Sequence, residues 1–211
     1  MLCRLGSIFM EVCTTHQQAL TLLTLLSATL NSRRNFLCTS SIYLLCWSEL
    51  SRAQGVRMNF TNPKTMRDCW IVNDGVMGGV SQSALRQDAQ GMYFEGLVSL
   101  ENNGGFASMR SSVRFSPGTQ LIALLAKGDG KRYKLVLRTE LAPRVTYAAD
   151  FIAEPTWQTY RFHLNQFKAT FRGQAIDAPT LSFYDVIEFG ILISNNQAGR
   201  FAIQLKTLQS T

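Results

Sequence analysis

The sequence predicts an all-β fold, a β-sandwich or jelly roll, and three observations support this prediction. From Met58 onward, short runs alternate apolar with polar residues, which is the pattern of half-buried strands. Gly, Asn, Asp and Pro separate these runs, and no stretch carries the apolar stripe of a helix. Cys69 is the one cysteine in this region, so no internal disulfide can form, and two sheets must cover each other's apolar faces.

The chain divides into a leader, residues 1–54, and one β-sandwich domain, residues 55–211. Its 211 residues are 46% hydrophobic and 17% charged, a composition that excludes a disordered chain. The formal net charge of +7 is spread along the chain without a basic run, so the sequence does not predict nucleic-acid binding. The remaining cysteines all lie in the leader, at positions 3, 13, 38 and 46.

The leader contains two short apolar runs, residues 19–30 and 37–47. Each is shorter than the about 20 residues that span a bilayer, so we expect no stable transmembrane anchor. Residues 32–37, Ser-Arg-Arg-Asn-Phe-Leu, resemble a twin-arginine export signal, and Ser51 and Ala53 are small residues at the positions that a signal peptidase reads. The leader therefore predicts a periplasmic protein.

An organelle presequence is the alternative for the same leader. Residues 1–57 are rich in Ser, Thr and Arg and contain only two acidic residues, which is typical of mitochondrial and other organelle presequences. Both alternatives predict a mature chain that begins near Gln54.

Within the domain, the alternation predicts strands over residues 91–100, 106–115, 121–127, 132–139, 158–164, 186–193 and 200–205. Gly128-Asp129-Gly130 separates the third of these strands from the fourth and predicts a tight hairpin, because glycine tolerates the positive φ of such turns. Residues 165–170 and 178–184 are expected to form a short helix or an irregular turn.

The domain offers little for catalysis. His163 falls in the same register as Trp157, Thr159 and Arg161 and is expected on the solvent side of its strand. Cys69 is expected to be a small core residue. No cysteine and histidine cluster has zinc spacing, and no pair of acidic residues stands out for glycoside hydrolysis. The sequence thus predicts a protein that is not an enzyme and has no cofactor. The sequence neither predicts nor excludes a structural calcium ion, because no set of oxygen ligands can be recognised in it.

Two glycine-rich elements carry more information. Residues 70–81 contain Asn73, Asp74, Gly78 and Gly79, without the spacing of a Walker loop or a dinucleotide fingerprint. We expect a tight connection here, in which the two Asx side chains bind neighbouring backbone amides and the glycines permit close approach of another strand. The second element, residues 102–106, is by itself a hairpin turn.

Together and in order, these elements closely resemble the complex I intermediate-associated protein 30 family. The resemblance runs from about Phe60 to Leu205. It is carried by Trp70, residues 73–81, Phe94-Glu95-Gly96, residues 101–108 and Trp157-Gln158-Thr159-Tyr160. It implies a galactose-binding-domain-like jelly-roll β-sandwich, an architecture related to carbohydrate-binding modules.

The resemblance also implies a function. The expected protein is a non-enzymatic, chaperone-like assembly factor for respiratory complex I (NADH dehydrogenase) or another membrane or redox complex, with subunits or assembly intermediates as its partners. The predicted binding residues are Trp70, Asn73, Asp74, Gly78, Gly79, Ser81, Asn102, Asn103, Gly104 and Gly105.

The alternative function is a carbohydrate or small polar ligand-binding module of an exported protein. An exposed aromatic ring would then serve as the platform for a sugar, because aromatic faces pack against sugar C–H groups. Trp70, Trp157 and Tyr147 are the candidates for this platform.

Overall fold

The computed structural model describes residues 55–210, which form thirteen strands and one short helix. The helix α1 spans Pro63–Arg67. The strands are β1 Arg57–Asn59, β2 Cys69–Asn73, β3 Gln82–Asp88, β4 Gly91–Val98, β5 Ala107–Ser112, β6 Leu121–Lys127, β7 Arg132–Thr139, β8 Thr146–Ile152, β9 Gln158–His163, β10 Lys168–Phe171, β11 Gln174–Ala175, β12 Val186–Ile193 and β13 Gly199–Ser210.

The strands form two antiparallel sheets. The first sheet has the order β3-β4-β13-β6-β9, with β1 also paired to β13. The second sheet has the order β11-β10-β8-β7-β12-β5-β2. This arrangement confirms the predicted all-β sandwich.

The core lies between the two sheets. Strand β13 contributes Phe201, Ile203 and Leu205 from the first sheet, and β12 faces them with a matching alternation of Phe189, Ile191 and Ile193. Each such side chain contributes about 1.5–3 kcal/mol when it is fully removed from water. One alternating face of each sheet therefore supplies most of the core, and connecting segments add Phe60, Phe115, Leu181 and Phe183.

The predicted hairpin between β6 and β7 is wrong, although the bounds of both strands are confirmed. Strand β6 lies in the first sheet and β7 in the second, so the glycine turn between them crosses from one sheet to the other. The amides of Gly128 and Gly130 donate to the carbonyls of Glu154 and Ala153 at 2.7 and 2.8 Å. The turn thus bonds to the connection after β8.

The same correction applies to residues 102–106, which the sequence presents as a hairpin turn. They lie between β4 in the first sheet and β5 in the second, so they also join the two sheets. A turn sequence fixes a reversal of the chain, but the sheet that the next strand enters depends on which face must be buried.

The irregular segments differ from the prediction in detail. Short 3-10 turns occupy Leu164–Gln166 and Phe183–Asp185, but residues 168–171 form β10. Helix α1 was not predicted. Pro63 starts it, and the Asn62 side chain caps it by accepting from the Lys64 amide at 2.9 Å.

The predictions for the leader, residues 1–54, lie outside the described residues. Within residues 55–210, no helix has the length and apolar character needed to cross a membrane.

Candidate functional site

The carboxylate of Asp74 connects the two glycine-rich elements. Strand β2 ends at Asn73, and the chain turns into a 3-10 turn in which Asp74 is 1% exposed. One oxygen, Oδ1, accepts from the Ser81 amide at 2.9 Å, and Oδ2 accepts from the Ser81 hydroxyl. Oδ2 also accepts from the amides of Gly105 and Phe106 at 2.7 and 3.3 Å. We refer to Asp74, Ser81, Gly105 and Phe106 as the Asp74 junction.

The hydrogen bonds of the junction hold Asp74 in its ionised form. Burial alone would raise the pKa of this carboxyl group, because desolvation disfavours the charge. The donors on Ser81, Gly105 and Phe106 outweigh burial and leave the pKa below its usual value. Asp74 is therefore a charged group whose oxygens are already occupied by donors from the chain itself.

Two glycines of the motifs are needed because Asp74 lies against them. A Cβ atom on Gly79 would lie 2.4 Å from Asp74 Cγ, and one on Gly104 would lie 2.6 Å from Asp74 Oδ2. Gly78 has a different requirement, since its φ of 91° is a left-handed conformation that favours glycine. The expected close approach is thus to a buried side chain and not to another strand.

Asn73 links the two sheets at this end of the sandwich, and the other two asparagines of the motifs shape a turn. Asn73 Oδ1 on β2 accepts from the Ser83 hydroxyl on β3 at 2.7 Å, which links the two sheets. Asn102 and Asn103 adopt left-handed φ values of 56° and 59° in the turn before β5. Asparagine tolerates this conformation better than most residues.

The structure thus brings nine of the ten predicted binding residues to one end of the sandwich and leaves Trp70 apart from them. Asp74 and Ser81 are buried and bound to each other, while Asn102 and Asn103 are exposed. A role of these residues in binding stays a prediction. Because Asp74 is buried, a partner would contact the exposed side chains near the junction and not Asp74 itself.

Exposed apolar side chains occur on the chain segments that enter and leave the Asp74 junction, and the sequence reasoning missed them. Val76 is 74% exposed and Met77 is 61% exposed, and both lie in the 3-10 turn that begins at Asp74. The full set is Val76, Met77, Val80, Leu97 and Leu100, which we refer to as the apolar rim. Their signal in the sequence was the apolar pair Val76-Met77, which lies in a turn between Gly75 and Gly78.

Trp70 lies on the open face of the second sheet. It is 39% exposed and stands opposite Arg110 of β5 in the strand register. Tyr147 is a core residue with its hydroxyl bound to the Pro179 carbonyl, so its candidacy as a platform was wrong. Trp157 is half-buried beneath the Lys127 and Lys206 ammonium groups, which lie 5.3 and 5.5 Å from its ring. Trp70 is the most open of the three rings.

The catalytic candidates lie apart from each other and from the junction. His163 is exposed at the end of β9 in the first sheet, while Cys69 begins β2 in the second. Burial raises the pKa of the Cys69 thiol to about 11, and the thiol donates to the Thr65 carbonyl. No group of three or more His, Cys, Asp and Glu side chains that could hold a metal ion occurs among residues 55–210.

The thiol of Cys69 should react slowly in the folded protein. At pH 8, we expect iodoacetamide to label Cys69 at least about tenfold more slowly in the native chain than in urea, because only the thiolate reacts. Mass spectrometry of the peptide that contains Cys69 measures this rate separately from the cysteines of the leader. Equal rates in the two states would contradict a half-buried thiol with a raised pKa.

Comparisons with solved structures find the same fold in carbohydrate-binding modules. One is the family 11 module from Clostridium thermocellum in complex with a β-1,3-1,4-mixed-linked tetrasaccharide, with 12% identity and a TM-score of 0.51 over 74% of this chain and 96% of that chain. Another is the family 11 module of a cellulosomal cellulase of the same organism, with 12% identity and a TM-score of 0.52 over 76% and 97%. At this identity the likeness concerns the fold alone.

The family comparison is more specific. No curated protein matches the chain significantly. The sequence model of the family described as Complex I intermediate-associated protein 30 (CIA30) matches residues 58–205, which includes the Asp74 junction, the apolar rim and Trp70. The chain therefore belongs to the complex I intermediate-associated protein 30 family.

Proposed function

We propose that the protein is a non-enzymatic, chaperone-like factor that binds subunits or assembly intermediates of respiratory complex I. Membership of the family carries this proposal, because the matched residues span nearly the whole described domain. The separation of His163 from Cys69 supports a binding role over a catalytic one. We also propose that the leader directs the protein to the periplasm by twin-arginine export, with a mitochondrion or another organelle as the alternative.

We propose the apolar rim as the surface that meets the subunit. Its side chains extend from segments that Asp74 and Ser81 hold in place, so the rim is presented on a fixed backbone. A pre-ordered apolar surface loses little conformational entropy when a partner covers it. Partly assembled membrane subunits expose apolar surface, and the apolar rim would cover such a surface and remove it from water.

Charges placed in the rim should abolish capture of the partner. We expect the double variant Val76→Asp, Met77→Asp to recover at least about tenfold less complex I subunit than the wild type, since a charge in an apolar contact costs more than 1.4 kcal/mol. The measurement is affinity capture of the tagged full chain from gently solubilised membranes, with complex I subunits quantified by mass spectrometry.

The matched control is Leu141→Asp, because Leu141 is also 74% exposed but lies in the connection after β7. It should leave recovery within about twofold of the wild type. Wild-type capture that repeatedly contains no complex I subunit would contradict the assembly proposal. Equal losses in the rim variant and in the Leu141 variant would contradict the rim as the contact surface.

We propose a carbohydrate or small polar ligand-binding module as the second candidate function. The observation that favours it is Trp70, a large ring that is exposed on the open face of the second sheet, beside charged side chains that can fix hydroxyl groups. The two candidate functions use different surfaces, since the rim lies at the Asp74 junction and Trp70 lies on a sheet face.

A further inference from the structure

Two arginines lie at opposite ends of a row that crosses the open face of the first sheet. Alternate residues of β6, such as Leu124, are buried in the core, so Ala123 projects to the open face. The register partners of Ala123 are Gln209 of β13 and Arg161 of β9, and Gln209 pairs in turn with Arg57 of β1. Paired residues in antiparallel strands share a face, so both arginines project to the open side. The row crosses four strands, and three spacings of about 4.8 Å give a width of about 14 Å.

Two lysines lie on the same face, further along β6 and β13. Lys127 follows Ala123 on β6 by four residues, which corresponds to about 13 Å along the strand. The ammonium groups of Lys127 and Lys206 lie 5.3 and 5.5 Å from the ring centroid of Trp157, so the two lysines converge on one ring. The ring attracts these cations but has no net charge that would neutralise them. We refer to Arg57, Lys127, Arg161 and Lys206 as the basic face.

No acidic side chain offsets the four positive charges of the basic face. None of its residues forms an ion pair with a carboxylate among residues 55–210. The acidic residues in the strands of this sheet are Asp88 on β3 and Glu95 on β4, and Glu95 is paired with Arg86 at 3.3 Å. The outward positions between the four cations carry uncharged side chains, namely Asn59, Thr207, Gln209, Ala123, Leu125 and Thr159.

The open face of the second sheet has a mixed distribution of charge instead. Glu188 Oε1 lies 2.9 Å from Arg110 Nη1 and 3.9 Å from Arg138 Nη1. Lys134 stands opposite Asp150 in the register of β7 and β8. Carboxylates thus lie among the cations of the second sheet, whereas the basic face has one sign of charge. Such a region attracts a surface of the opposite sign over about 8 Å at physiological ionic strength.

The basic face fits an extended anionic surface better than one small anion. The cavity of about 780 Å³ at this sheet is lined by residues of β3, β4 and the beginning of β13 together with Asp129, and none of the four basic residues lines it. The four charges are spread over a sheet surface instead. The Trp157 ring is half-buried beneath two ammonium groups, so it is not free to stack on a base of a single-stranded nucleic acid.

We infer that the basic face binds the surface of a membrane that contains anionic phospholipids. This choice of partner rests on the proposed function, since the subunits of a membrane complex are assembled at a bilayer. Each Lys or Arg near an anionic leaflet strengthens binding about fivefold. Leu97 of the apolar rim is exposed and is paired with the exposed Arg200 on the first sheet, so a protein bound through the basic face holds this side of the rim beside the bilayer.

Vesicle sedimentation with the full chain tests the inference. We expect phosphatidylcholine vesicles that contain about 40% phosphatidylglycerol to bind the protein at least about tenfold more tightly than pure phosphatidylcholine vesicles, with an affinity that falls as salt screens the charges. The double variant Arg57→Gln, Arg161→Gln should bind the anionic vesicles at least about tenfold more weakly than the wild type. Equal binding of the wild type to the two kinds of vesicle overturns the inference.

The matched control is the double variant Arg132→Gln, Arg144→Gln. It removes the same charge from two exposed positions on β7 and in the connection after β7, on the side of the second sheet. Its binding should stay within about threefold of the wild type, and both double variants should keep the melting temperature within a few degrees. Equal losses in the two double variants overturn the basic face as the contact surface.

Amine labelling of the full chain locates the contact independently of any lipid binding by the leader. With anionic vesicles present, Lys127 and Lys206 should react with an N-hydroxysuccinimide ester at least about threefold more slowly, whereas Lys168 of β10 in the second sheet should react at an unchanged rate. Unchanged labelling of Lys127 and Lys206 overturns the inference. Protection of both by a single-stranded oligonucleotide and not by vesicles overturns the lipid surface in favour of a nucleic acid. Either result leaves the assembly proposal standing, because capture of complex I subunits tests that proposal separately.

Discussion

Asp74→Ala should lower the free energy of unfolding by about 3–5 kcal/mol. The change removes the acceptor of three backbone amides and one hydroxyl, and the Ser81 and Gly105 amides would stay buried without partners. Urea denaturation followed by intrinsic tryptophan fluorescence measures the difference. A loss below about 1 kcal/mol would show that water or another group replaces the carboxylate.

The isosteric variant separates charge from shape. Asp74→Asn keeps the volume but turns one acceptor into an NH2 donor that faces other donors, so it should also be strongly destabilising. Asp177→Asn is the matched control, because Asp177 is exposed, and it should change stability by less than about 0.5 kcal/mol.

The stability of the wild type should fall more steeply in acid than that of the Asp74→Asn variant. A carboxyl group whose folded pKa is depressed stabilises the fold above its unfolded pKa of about 3.9 and loses that contribution as the pH falls through the folded pKa. The pKa of Asp74 is lowered in this way. The difference in free energy of unfolding between the wild type and Asp74→Asn should therefore be largest at pH 7 and should become smaller below about pH 4. If this difference in free energy of unfolding is the same at pH 7 and below pH 4, the ionised carboxylate is not its cause.

Gly79→Ala should destabilise the domain by about 3 kcal/mol. The new methyl group would lie 2.4 Å from Asp74 Cγ and 2.5 Å from Oδ1, and this side chain cannot move without losing its donors. The measurement is thermal and urea denaturation of the variant beside the wild type.

Gly75→Ala is the matched control in the same turn. A Cβ on Gly75 would have no atom within 4 Å, and its φ is not positive, so alanine should be neutral to within about 0.5 kcal/mol. In the Asp74→Ala background, Gly79→Ala should lower the free energy of unfolding by less than it does alone. Two of the three atoms nearest to the new Cβ, Cγ and Oδ1 of Asp74, are absent in that background. Additive costs in this double-mutant cycle would contradict a direct clash between the two side chains.

The local pattern of the sequence predicts strands and faces well in this protein. The bounds of β6 and β7 agree with the alternation, and Tyr133, Leu135 and Leu137 are buried as their shared face requires. His163 projects to solvent for the same reason. Side chains alternate from one face of a strand to the other, so the sequence of a strand alone contains this information.

Strand partners are not contained in the local pattern. β13 pairs with β1, β4 and β6, which come from three distant parts of the chain. The turns after β4 and β6 look like hairpins in sequence and yet join the two sheets. A turn reverses the chain whether the next strand joins the same sheet or the opposite one, so only the packing of both apolar faces decides between them.

The order of the glycine motifs was enough to identify the family and its fold, because glycine and Asx residues impose backbone conformations that few other residues adopt. The sequence alone could not reveal why the two motifs occur together. That reason is the Asp74 carboxylate, which reaches from the first motif to the amides of Gly105 and Phe106, about thirty residues away along the chain. Likewise, Arg110 and Arg138 share the Glu188 carboxylate only because β5, β12 and β7 lie side by side. Hydrogen bonds and charges act over a few ångströms in space, so only the tertiary structure could bring these groups together.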